Sequence, residues 1–200
     1  MADRRRVVVI ETFKQKDISS AAYNDYSGVR KLPSDIMDYL FNNCDELWKL
    51  LYYKGDTVGE PNVPDEKKRD MVAKSSGGNL DEYQVLFQFF TSDSSSKANS
   101  QLRIQIVSAE SPNRTDVLCR VGIQCIVNNK NMIVSTDESP LDNRALAMTQ
   151  AVIQCLNGQR METTKTPLNI DKSVDRYSGI TKYDFNNNFS GYIITMSCYV

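Results

Sequence analysis

The chain reads as an α+β protein: an antiparallel sheet of about four to five strands with two main helices packed on it, plus an extended N-terminal arm and long loops. Three observations carry this reading. Apolar residues recur at spacings of three and four in two stretches, 34–53 and 141–156. They alternate with a period of two in 80–90, 102–110, 115–128 and 189–200. The strand-like stretches between 80 and 134 are separated mostly by turn-sized gaps, which favours an antiparallel meander.

Residues 1–33 read as an arm. RRRVVVIETF has the composition of a strand, and the following KQKDISSAAYNDYSGVRKLP is irregular. The remainder, 34–200, reads as one domain, because no second apolar core is visible in the pattern. Ser34, after Pro33, is a plausible N-cap with Asp35 at the positive end of the helix. Ile36, Leu40, Cys44, Leu47 and Leu51 form the stripe of a helix over 34–53, widened by Met37, Phe41 and Trp48. Gly55 and the Gly59-Glu60-Pro61 cluster stop it, and Pro64-Asp65 opens a short helix, DEKKRDMVA.

Strands follow. LDEYQVLFQFF alternates, and the serine-rich stretch 92–100 reads as a mobile hairpin loop. In LRIQIVSAE, Leu102, Ile104 and Ile106 oppose Arg103 and Gln105. In TDVLCRVGIQCIVN, Val117 to Val127 line one side at every second position. MIVS predicts a fourth, short strand. Ser139-Pro140-Leu141-Asp142 is a near capping box opening the second helix, whose stripe is Leu141, Ala145, Met148, Val152 and Cys155/Leu156. Asn157-Gly158 ends it. Residues 159–178 are polar and irregular, and FSGYIITMSCYV predicts a last strand.

Composition narrows the function. The formal net charge of -1 shows no whole-molecule footprint for nucleic acid or an anionic membrane. No run approaches the ~18 apolar residues of a membrane span. Histidine is absent, which removes Ser-His and Cys-His nucleophiles and imidazole metal ligands together. The five cysteines show no CxxC spacing and read as reduced core residues of a reducing compartment. The carboxylate pairs Asp45-Glu46, Asp81-Glu82 and Asp137-Glu138 are adjacent in sequence, so their side chains diverge and make poor acid/base pairs. Phosphate-loop, dinucleotide and calcium-loop patterns are missing. The expectation is no enzyme and no cofactor.

Candidate binding residues remain. Arg4, Arg5 and Arg6 could grip phosphate or an acidic partner, or form a solvated end. The polar, aromatic run from Tyr177 through Lys182, Tyr183 and Phe185 to Phe189 is either an interface segment ordered by a neighbouring chain or an ordinary loop. Phe87, Phe89 and Phe90 beside Arg103 would make an aromatic platform for single-stranded nucleic acid, although core packing explains them as well. Trp48 is a core anchor or an interface anchor.

The helix end DELWKLLYY followed by GDTVGEPNVPDEK resembles the N-terminal part of small neck proteins of tailed bacteriophages, of the tail-terminator, tail-completion and head-completion (stopper) group. The later order of LRIQIV, VLCRVGIQCIVN, LDNRALAMTQAVIQCLNG and FNNNFSGYIITM is also similar, so the resemblance covers most of the chain after Leu32. It implies an α+β subunit without enzymatic activity. The subunit would assemble as a hexameric or dodecameric ring between portal and tail tube, in contact with portal, connector or tail-tube proteins. Packaged DNA would pass through without specific binding. The place implied is the virion neck, after assembly in the host cytoplasm.

Overall fold

The computed structural model describes residues 26–73, 83–87, 99–113, 115–172 and 179–200. The elements are α1 (Ser27–Asn43), α2 (Asp45–Tyr52), α3 (Asp65–Met71), β1 (Val85–Phe87), β2 (Ser100–Glu110), β3 (Leu118–Asn128), β4 (Ile133–Val134), β5 (Asp142–Asn143), α4 (Arg144–Leu156), β6 (Asn169–Ile170), β7 (Gly179–Asn186) and β8 (Phe189–Tyr199). The architecture is α+β, as the periodicities predict. The main sheet runs β1-β2-β3-β8-β6, with β7 also paired to β8. All its pairings are antiparallel except β1 with β2, which are parallel, so the meander does not include its first strand.

One face of the sheet carries Leu102, Ile104, Val121, Ile123, Ile194 and Met196, all 0% exposed. α4 packs across β3 and β8, while α1 and α2 pack on β2. The buried apolar residues of these elements form one contiguous cluster with Trp48 at 0% exposure inside it. Trp48 is therefore a core anchor.

The first helix begins at Ser27, well before Ser34, and Val29 and Leu32 are buried with it. Residues 27–33 thus belong to the helical layer and not to an arm. Pro33 is the seventh residue of the helix, past its first turn, so its missing N–H removes one helical hydrogen bond there. The expected single helix over 34–53 is broken at Cys44 (φ -125, ψ 60). Three side chains donate to carbonyls around this break, Leu40 O also keeping its bond from Cys44 N. Trp48 Nε1 donates to Leu40 O at 3.0 Å, Lys68 Nζ to Phe41 O at 3.3 Å, and Cys155 Sγ to Asn43 O at 3.4 Å. Lys68, from α3, also reaches Asp45 Oδ1 at 2.8 Å and lies over the Phe41 ring. The short helix α3 thereby closes the gap between α1 and α2.

Three further expectations are corrected. MIVS does not join the main sheet, because Ile133–Val134 pairs with Asp142–Asn143 in a separate two-stranded ribbon. The second long helix starts at Arg144 with Asn143 as its cap, the Asn143 side chain accepting from Leu146 N at 3.0 Å. Leu141 lies before the helix and is 73% exposed instead of joining the stripe. Within 159–172, read as irregular, Asn169–Ile170 adds a short strand beside β8, and Met161 and Leu168 are buried.

Candidate interaction surface

The stretch read as an interface segment or loop forms the strand β7, folded back on β8 with a bulge between Asp184 and Asn186. The turn is tied to the end of β3: Asn129 N donates to Asn188 O at 2.8 Å, and the Ser190 hydroxyl to Asn129 Oδ1 at 2.7 Å. The hairpin curls over the face of the sheet opposite the helices. β8 and β3 separate β7 from β2 in the sheet, yet the Phe185 ring lies 6.0 Å from the Arg103 guanidinium.

The predicted site residues therefore have different fates. Lys182 and Tyr183 are exposed on β7, and Phe185 is half-buried, its ring edge-on to Tyr183 at 4.9 Å. Phe189 is 2% exposed, because it starts β8 opposite Asn128 and is carried into the interior. It is a packing residue, not a surface contact. Arg4, Arg5, Arg6 and Tyr177 lie outside the described residues, as do the N-terminal strand reading, the 92–98 loop, Phe89 and Phe90.

The nucleic-acid platform finds no support in Arg103. It is 3% exposed, its Nη2 donates to Gln101 Oε1 at 3.0 Å, and burial lowers its pKa. Gln101, Gln105 and Gln124 on the same face are buried as well. Stacking on that face would require bases to reach groups already enclosed.

A second exposed apolar group sits where the β4–β5 ribbon meets α4. Ile133 is 70% exposed, Leu141 73% and Leu146 43%. Pattern reasoning missed Ile133 and assigned Leu141 to a helix stripe. The only local signal was Pro140, which breaks the stretch just before Leu141. Acidic groups neighbour this corner. Lys49 lies 3.8 Å from Asp137, and Gln150 donates to Glu138 at 3.0 Å. Burial raises the Glu46 carboxyl above the usual range, with Lys49 opposing and Asp137 and Glu138 adding to the effect.

Among the described residues no group of three or more metal-ligating side chains converges. The carboxylate Asp45 is occupied by Lys68 and Asn62. Burial pushes the Cys119 thiol up to about 11 and those of Cys125 and Cys198 up to about 12, so these are protonated, weakly nucleophilic groups at neutral pH. All five cysteines are free. No described helix is long and apolar enough to cross a membrane.

A family model named YomW matches residues 45–198, from the start of α2 to the penultimate residue of β8. The chain belongs to the YomW family and is phage-associated. None of the curated proteins matches it.

Proposed function

We propose that this YomW-family chain is a structural subunit of a tailed-phage neck, forming a homo-oligomeric ring at the head–tail connection. In this reading it performs no catalysis. It contacts copies of itself and neighbouring portal, connector or tail-tube proteins, enters the virion neck and lets packaged DNA pass without specific binding. The observation that carries the reading is a pair of unlike exposed apolar groups on different elements: Ile133, Leu141 and Leu146 at the ribbon corner, and Ile180 (46% exposed) and Tyr183 (50% exposed) on β7. A ring is built by a heterologous contact, which needs two different patches on each subunit. The phage association and the resemblance of the 40–64 segment to neck proteins support the same reading.

The test is negative-stain imaging and mass measurement of the purified full chain, alone and with portal or tail-tube protein. Rings are expected in at least one sample and should be lost in Leu141→Glu, whose exposed position leaves the fold intact. A strict monomer that ignores both partners overturns the proposal.

A further inference from the structure

β7 is an edge. Among the described residues its only strand partner is β8, and residues 180 to 184 are consecutively exposed. No other described strand pairs with its outward row of backbone N–H and C=O groups, the row that takes up a further strand. The usual deterrents are weak here: β7 has no proline, one lysine, and a bulge only near the turn.

The side chains specify which strand fits. Lys182 and Asp184 flank Tyr183 symmetrically. An antiparallel pairing of two β7 strands about Tyr183 sets Lys182 of each copy opposite Asp184 of the other, within the regular stretch that precedes the bulge at Phe185. Opposite charges at directly facing positions stabilise an antiparallel pair, and like charges there destabilise it. The same register places both Tyr183 rings on one face. Each already touches its own Phe185 edge-on at 4.9 Å, so the pairing assembles four aromatic rings around the axis. A parallel, in-register pairing would instead stack Lys182 on Lys182 and Asp184 on Asp184. The edge is self-complementary only under a two-fold operator.

We infer that β7 is a two-fold docking edge for a second copy of this chain, joining two sheets across an antiparallel β7–β7 seam centred on Tyr183. This contact is isologous and takes the β7 edge for itself, so a head-to-tail contact that covers Tyr183 competes with it.

The experiment uses the full chain and two single variants, Lys182→Asp and Asp184→Lys, in sedimentation equilibrium. Each variant alone places like charges opposite each other in both pairs. Each should lose at least tenfold in two-fold association while keeping the circular dichroism of the parent, since both positions are exposed. Mixing the two variants restores opposite charges in both pairs, so the mixture should associate as the parent does. The inference is overturned if the parent shows no β7-dependent association. It also fails if the single variants associate unchanged, or if the mixture stays dissociated. Rings imaged in the Lys182→Asp variant, in which the two-fold is lost, separate failure of this contact from failure of the ring reading.

Discussion

Arg144 is the residue whose replacement should cost most for its size. It opens α4 yet is 1% exposed, because its guanidinium is inserted beneath the end of α2. Its acceptors are all main-chain carbonyls. Nε donates to Asn131 O at 3.2 Å, Nη1 to Leu50 O at 3.0 Å and Tyr53 O at 2.6 Å, and Nη2 to Lys54 O at 3.3 Å and to Gly55 O. Leu50 lies in the last turn of α2, where the helix presents partial negative charge. Burial lowers the Arg144 pKa, and only the more distant Asp56 opposes this. In Arg144→Met the chain length is nearly kept and the five acceptors lose their donor. Lys54 and Gly55 are exposed, so water replaces the lost bonds there at little cost. Leu50 is buried, and Tyr53 and Asn131 are half-buried. At about 1 kcal/mol for each of these three carbonyls the loss is about 3 kcal/mol. For a domain of ordinary stability, ~5–15 kcal/mol, that is a large fraction. Urea unfolding followed by the fluorescence of Trp48, the single tryptophan and fully buried, measures it. With a slope of about 2 kcal/mol/M the midpoint falls by about 1.5 M. Arg144→Lys keeps the charge but not the fork and should fall between the two. A midpoint for Arg144→Met within about 0.3 M of the parent would refute the reasoning, showing that these carbonyls rehydrate freely.

Two other perturbations follow from the interior. Burial pushes the Cys119 thiol from an ordinary value of 9.0 up to about 11, and that of Cys198, by burial and then by Cys119 beside it, up to about 12. A thiol whose folded pKa lies above its unfolded one adds stability that is complete below the unfolded value and is lost as pH rises through the folded value. The free energy of unfolding from urea titrations should therefore drop between about pH 9 and 12, by about 3 kcal/mol for Cys119 alone, and the drop should flatten in Cys119→Ala. Gly191 of β8 is the position where added bulk should hurt most: a Cβ there would stand 1.9 Å from the Cys125 carbonyl oxygen, and backbone cannot step aside as a side chain can. Gly191→Ala should lower the urea midpoint by more than 1 M, and a neutral result would mean that β3 and β8 slide apart at no cost.

Much of the secondary structure was legible because it rests on local period. β3 was readable from Cys119, Val121, Ile123 and Cys125 at every second position, and β8 from the alternation after Phe189. The break at Cys44 was not, since the apolar stripe runs through it without a change of phase. What stabilises the break is Lys68 and Cys155, which arrive from distant parts of the chain. Of the aromatic run after 177, Lys182 and Tyr183 are exposed on β7. Phe189, three positions beyond the bulge, turns inward because β8 pairs with β3 from its first residue.

By itself the sequence determined the class of the protein: the two helical periods, the alternating strands, the buried reduced cysteines and the lack of histidine chemistry. These depend on which residues stand a few positions apart, and a few positions are all that local sterics and amphipathicity sense. The tertiary structure alone decided that β1 runs parallel to β2, that β8 enters the sheet between β3 and the β6–β7 edge, and that the polar run after 178 becomes an exposed edge strand. It also decided that Arg144, an ordinary charged residue by composition, is the buried clasp of α2. Pairing between strands far apart in the chain is chosen by the total burial and hydrogen bonding of the whole sheet, and no window of neighbouring residues contains that sum.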